Sequence, residues 1–254
     1  DTNFSRIQFT PDLMPADIIG TSVFNSKIAD FEFKKGPVFS NLVLIDEINR
    51  SPAKTQSALF EVMQERQITV DGVSHVMQRP FLVIATQNPI EHEGTYRLPE
   101  AQLDRFLFKV DVGYPELDDE VAILEGAYQR KTDSDIASVN AVVTAEELNS
   151  QKERVSEVHV EKELMQYIAR IVNETRNSSS ILIGASPRAS VYLMRAAQAW
   201  AAMKGRDFIT PEDVKEIIAP SLRHRITLTP EREMEGVLPD TILKQLADKV
   251  EVPR

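Results

Sequence analysis

Leu42-Val43-Leu44-Ile45-Asp46-Glu47 is the stretch that decides the fold. Four apolar residues run straight into two carboxylates. A short continuous apolar run predicts a strand buried on both faces, as in a parallel sheet. Acids at its carboxyl end lie where open α/β sheets bind ligands. The pair suits a nucleoside triphosphate, with one carboxylate for Mg²⁺ and one to activate a water. A Mg²⁺ shared with substrate phosphates needs only one or two protein carboxylates, because it keeps several waters. The plainer alternative is two solvated charges at a strand end. No G-x-x-x-x-G-K-[ST] phosphate loop occurs in the 254 residues, and all nine glycines are isolated. The chain starts at Asp1 with no initiator Met, in a segment that reads as the approach to a strand. It is expected to be a fragment whose first strand and phosphate loop lie upstream.

Outward from that strand, residues 1–113 alternate strand and helix signals. Arg6-Ile7-Gln8-Phe9 reads as a strand, and Thr10-Pro11-Asp12 as a helix start with Thr10 as cap. Val23 to Gly36 alternates around polar turns and predicts a hairpin. Ser51-Pro52 caps a helix to about Glu65, with Leu59, Phe60, Val62 and Met63 inward. Ile68 to Val76 is a second hairpin, turned at Asp71-Gly72. Phe81 to Thr86 is a second continuous apolar strand, ending at Gln87-Asn88-Pro89. Phe106-Leu107-Phe108-Lys109-Val110 reads as a third, shorter strand.

After Tyr114-Pro115 only helices are expected: Asp118–Gln129, Thr144–Ser156, Glu161–Arg176, Pro187–Lys204, Pro211–Ile218 and Asp240–Val250. Strands followed by a block of helices imply two domains, 1–113 and 114–254. Trp200, Met194 and Met203 share one long helix and are expected in its core.

Bulk composition sets limits. Net charge is −10, from 39 acids against 29 bases, which argues against a chain-wide nucleic-acid footprint. No apolar run reaches the ~18 residues of a membrane span. Cysteine is absent, so there is no disulfide framework and no thiolate metal site, which fits the cytoplasm. His75, His92, His159 and His224 show no ligand spacing and are read as non-metal.

Three further residues carry two readings each. Asn88 ends a strand whose carboxyl end shares a sheet edge with Glu47, so its amide could orient a water or meet a γ-phosphate; Asn-Pro is also a common turn starter. Arg105, between a short helix and a strand, could reach a neighbouring subunit's phosphate or simply pair with Asp104. Arg188 follows Ser186-Pro187 at a helix start that attracts phosphate, or is a solvent-exposed Arg on an amphipathic helix. The run Arg223-His224-Arg225 reads most simply as a solvated helix end.

Taken in order, these blocks resemble an AAA+ ATPase of the MoxR family. Arg6 to Leu13 is similar to that family's second core strand and following helix. Leu44-Ile45-Asp46-Glu47-Ile48-Asn49-Arg50 resembles its Walker B segment, and Ala85-Thr86-Gln87-Asn88-Pro89 its sensor-1 strand. Glu93-Gly94-Thr95-Tyr96 and Leu98 to Phe106 resemble the segment holding its arginine finger, Arg105 here. Gly184-Ala185-Ser186-Pro187-Arg188-Ala189 resembles the start of its sensor-2 helix. The two hairpins fit the inserts of this branch.

The resemblance implies an α/β fold: an AAA+ parallel-sheet core with hairpin insertions, then a small all-α lid. It implies an ATP-hydrolysing, chaperone-like protein using ATP and Mg²⁺. Asp46 would hold the metal, Glu47 would activate water, Asn88 would position it, and Arg105 would act in the next subunit. Arg188 would couple the lid to the γ-phosphate. The implied partners are copies of itself in a ring, a hexamer, together with a protein carrying a von Willebrand factor A domain and a client protein complex. The alternative is a nucleotide-blind scaffold, given the absent phosphate loop. A DNA-associated AAA+ protein is a third reading, opposed by the charge and by the lack of a clear helix-turn-helix.

Overall fold

A computed structural model describes residues 2–88, 98–130 and 140–252. The predicted strand-end residue Pro89, His92 and the Glu93–Tyr96 block lie outside the described residues.

The sheet is parallel and three-stranded, in the order β1 (Phe4–Gln8), β4 (Leu42–Asp46), β7 (Leu82–Ala85). Arg6 pairs with Leu44 and Gln8 with Asp46, while Leu42 to Ile45 run beside Leu82 to Ala85. The deciding strand is fully covered on one face only. Val43 and Ile45 are buried, whereas Leu42, Leu44 and Asp46 are half-buried. The second apolar strand is more open, with Leu82 and Ile84 about half exposed at the sheet edge. Behind the covered face stands α2 (Ala53–Glu65), whose Leu59, Phe60 and Val62 join Phe9, Val43 and Ile45 in one core. Burying side chains of this size stabilises by about 1.5–3 kcal/mol each.

Thr10-Pro11 does not begin a helix. The Thr10 hydroxyl bonds the Asp12 carboxylate, and the Leu13 amide closes a turn on the Thr10 carbonyl. The helix, α1 (Pro15–Ile19), starts one turn later, where the Asp17 carboxylate accepts the Met14 amide. A hairpin then leaves the core as β2 (Gly20–Asn25) and β3 (Asp30–Lys35). Its base admits only glycine. A Cβ on Gly20 would collide with the Lys34 carbonyl, and one on Gly36 with the Ile18 carbonyl. The second hairpin, β5 (Gln67–Val70) and β6 (Val73–Val76), turns at Asp71-Gly72 as expected. It rests on the first through His75, whose ring lies 4.5 Å from that of Phe33.

Phe106 to Val110 is not a strand. After α3 (Glu100–Leu103) the chain turns through Asp104 to Leu107, and polar groups from there to Lys109 go to the C-terminal half of the molecule rather than to a ladder. The Lys109 amide donates to the Pro220 carbonyl at 2.9 Å.

The remaining helices are α4 (Leu117–Arg130), α5 (Ala145–Ser156), α6 (Lys162–Asn177), α7 (Pro187–Met203), α8 (Pro211–Leu222), α9 (Pro230–Met234) and α10 (Pro239–Lys249). They are not alone, because β8 (Ile181–Ile183) and β9 (Thr227–Leu228) form a small antiparallel sheet among them. This lid is predominantly helical. Its own core gathers Tyr167, Ile171, Leu193, Ile218 and Leu243, separate from the sheet's core. Trp200 and Met194 pack against it, but Met203 is 79% exposed at the end of α7.

Candidate active site

The carboxyl ends of the three strands enclose an open cleft of about 340 Å³. Arg6 and Gln8 line it from β1, Asp46 and Glu47 from β4, and Thr86 to Asn88 from the end of β7. Asp46, Glu47 and Asn88 are thus brought together as expected from strands ending on one edge.

Backbone turns hold the acids in place. Glu47 takes a left-handed conformation, φ 56°, which turns the chain sharply at the strand end. Its amide donates to the Thr86 hydroxyl at 3.1 Å, and the Ile48 amide to the Thr86 carbonyl at 3.0 Å. The strand end of β7 therefore fixes the turn that presents Glu47. The same hydroxyl lies 3.4 Å from Asp46 Oδ1.

Each acid also meets a side chain from β1. Arg6 Nε donates to Asp46 Oδ2 at 2.6 Å, and Gln8 Nε2 to Glu47 Oε2 at 2.8 Å. Arg50 Nε adds a contact to Glu47 Oε2 at 3.2 Å. Arg6 and Gln8 were not singled out from the sequence. The usable signal was period-two alternation in Arg6-Ile7-Gln8: with Ile7 buried, its neighbours face the other way.

These residues suit a hard divalent cation. The carboxylates of Asp46 and Glu47 and the Thr86 hydroxyl are oxygen donors, the chemistry Mg²⁺ prefers. The fit to a triphosphate is partial. The sequence contains no glycine-rich loop of backbone N–H groups to cradle the phosphates.

Arg105 and Arg188 do not line the cleft. Arg105 is half-buried beyond α3 and does not pair with Asp104. Its Nη1 donates to the Phe60 carbonyl at 3.0 Å, and its Nε is buried without a partner. Asp104 instead faces the lid, where Oδ1 accepts from Arg225 Nε at 2.9 Å and Oδ2 from the Ser186 hydroxyl at 2.9 Å. Arg188 Nη1 lies 3.6 Å from Asp104 Oδ2. Arg188 and Arg225 therefore meet around the Asp104 carboxylate, while Arg105 turns to the Phe60 carbonyl.

The run Arg223-His224-Arg225 is not a solvated helix end. His224 and Arg225 are buried, and Arg223 pairs with Asp111 and Asp240. The physical reason lies across the molecule: the unpaired carbonyls of Phe106 and Leu107 need donors, which His224 and Arg225 supply.

Comparisons with known proteins give the family and the fold. The family described as "ATPase family associated with various cellular activities (AAA)" matches residues 1–108, and "AAA lid domain" matches 173–246. The chain is 45% identical to the uncharacterized protein YeaC of Bacillus subtilis, over 99% of this chain and 78% of that protein. It is 44% identical to Chaperone MoxR1 of Mycobacterium tuberculosis, over 99% of this chain and 68% of that one. The crystal structure of an inferred ATPase from Cytophaga hutchinsonii superposes with a TM-score of 0.90 at 42% identity, covering 100% of this chain and 79% of that one. With a parallel-sheet core, a helical lid and relatives at this identity over nearly its whole length, the chain belongs to the MoxR family of AAA+ ATPases.

Proposed function

We propose that this chain is the Walker B and lid portion of an ATPase that hydrolyses ATP with Mg²⁺ in a homo-oligomeric ring, a hexamer. The observation that carries the reading is the Asp46–Glu47 pair at the end of β4, in one cleft with Asn88. The bound cation would supply charge neutralisation at the phosphates. Asp46, whose Oδ2 here accepts from Arg6, would hold that cation. Glu47 accepts a proton from the attacking water at a carboxylate oxygen, and the Asn88 amide orients that water.

Arg105 and Arg188 serve a different nucleotide. Neither lines the cleft, Arg188 facing Asp104 and Arg105 the Phe60 carbonyl, and this reading takes both to the site of a neighbouring subunit. Arg105 has one nitrogen, Nε, without a hydrogen-bond partner, so its guanidinium is not fully engaged by its own subunit. In this reading the core domain runs over 1–113 and the lid over 114–254, with separate hydrophobic cores as support.

Kinship to a protein named as a chaperone supports a role in remodelling or maturing a client complex; the cytoplasm and a von Willebrand factor A domain protein as partner belong to the same proposal through the family resemblance alone. No helix among the described residues is long and apolar enough to cross a membrane. The scaffold alternative rests on the lack of a phosphate loop in these 254 residues.

Glu47→Gln in the full-length protein tests the reading. The amide keeps the shape but accepts no proton, so ATP binding should persist while turnover drops at least ~100-fold. Wild-type steady-state hydrolysis would sink the assignment.

A further inference from the structure

Asp104 and Arg105 are adjacent in the chain but are held by different parts of the molecule. Arg105 lies against α2 through the Phe60 carbonyl. Asp104 is held by the lid. Its Oδ1 takes Arg225, whose side chain is 1% exposed, and its Oδ2 takes the Ser186 hydroxyl and faces Arg188.

The lid's grip extends to the backbone. Arg225 Nη2 donates to the carbonyls of Asp104 at 3.1 Å and Phe106 at 2.5 Å, the residues on either side of Arg105. Arg225 Nη1 reaches the carbonyls of Leu107 and Ser221. The guanidinium also stacks 5.0 Å from the ring of Tyr192, one turn along the helix from Arg188. Ser186 does not use its hydroxyl to cap α7, although it stands at the cap position; the hydroxyl goes to Asp104 instead.

We propose that Asp104 is the positioning residue that locks the start of α7 to the Arg105 segment, so that lid movement carries Arg188 and Arg105 as one unit. This rests on the proposal that both arginines act on a neighbouring subunit's nucleotide. The geometry supplies a division of labour. Arg225 is the enclosed anchor, fully engaged with Asp104 and four carbonyls. Arg188 is the outer arm, 40% exposed and 3.6 Å from the same carboxylate, so it can turn toward a phosphate without breaking the anchor. One carboxylate faces two guanidiniums, so Arg188 keeps donor capacity for a second anion.

Two measurements test the lock. The chain has no cysteine, so Glu61→Cys on α2 and Met203→Cys at the exposed end of α7 allow a single pair of spin labels. Asp104→Asn keeps the shape and removes the charge; it should broaden the distance distribution between the labels at least twofold. An unchanged width overturns the lock. In the full-length protein Asp104→Asn should lower kcat about tenfold with KM for Mg-ATP within about twofold, and Arg188→Ala should do the same. The double variant should be slower than Arg188→Ala only by the part of the loss that runs through Arg105, so the two losses fall short of multiplying. Losses that multiply overturn the proposal. If Asp104→Asn does not fold, Ser186→Ala replaces it: broader distances and a roughly threefold lower kcat support the lock, and wild-type values of both overturn it. If Arg188→Ala turns over normally, the reading of Arg188 as a phosphate contact fails, and the distance measurement alone then decides the lock.

Discussion

His224 sits where lid and sheet core meet, with Nε2 3.0 Å from the Phe106 carbonyl and Nδ1 buried without a partner. Burial, then the neighbouring charge of Arg225, push its pKa down to about 4 from the ordinary 6.5. The unfolded chain therefore takes up a proton at higher pH than the folded one. The stability from keeping this ring neutral is present above about pH 6.5 and is lost as pH falls toward 4. Between pH 7 and 5 the loss from this one group should be about 2 kcal/mol. His224→Gln keeps an N–H donor and cannot titrate, so urea melts of the variant should show a fall smaller by that amount. Identical losses in both proteins would remove His224 from the account. Residues differ in how far the sequence exposes such roles. The placement of Asp46, Glu47 and Asn88 in one cleft was legible because a strand end is a local signal and parallel strands end on one edge. Arg6, Gln8, Asp104 and Arg225 were not, because each acts on a partner set by register or by the lid's placement. Asp104 and Arg225 are 121 residues apart, and no local spacing predicts their contact.

Among elements, the stretch Phe106–Val110 shows the limit most clearly. Its composition favours a strand, yet a strand needs a neighbour with free ladder groups. Here its backbone is satisfied by Pro220, His224 and Arg225 instead. The hairpins, by contrast, were legible from alternation plus Asp71-Gly72, and α2 from its apolar face, because those signals lie within a few residues; the expected Ser51 cap does not form, its hydroxyl being buried without a partner. The small β8–β9 sheet was missed because two- and three-residue strands carry no periodicity. If Arg225 is what ties the Phe106–Val110 stretch to the lid, Arg225→Met should cost about 3–5 kcal/mol. It leaves Asp104 without its anchor and buried carbonyls without donors. Urea melts measure the cost, and hydrogen exchange should show the Lys109 amide losing protection first. A cost under about 1 kcal/mol would mean that solvent replaces the guanidinium freely.

For the whole molecule, two cores and a joint at Asp104 leave the parts of the proposed site apart: Arg105 and Arg188 are not among the residues lining the cleft. The acids occupy the sheet's carboxyl edge, Arg105 lies against α2, and Arg188 opens α7 of the lid. Residues 1–254 alone should accordingly bind Mg-ATP weakly or not at all, since most phosphate contacts in such sites come from the phosphate loop. Micromolar affinity by calorimetry would overturn that expectation. The division also makes a stronger prediction about assembly. An arginine supplied in trans contributes on the order of 10³ to 10⁵ in rate. Arg105→Ala and Glu47→Gln full-length proteins should each assemble and each hydrolyse slowly. Mixed into one ring, they create interfaces with an intact Glu47 on one side and an intact Arg105 on the other. Activity should then reappear, rising with the fraction of mixed interfaces once subunits exchange. If Arg105 served its own subunit's cleft, no mixture would recover, because no chain carries both groups. Exchange verified by labelled subunits, with hydrolysis still flat across all mixing ratios, would leave Arg105 as a structural donor to the Phe60 carbonyl.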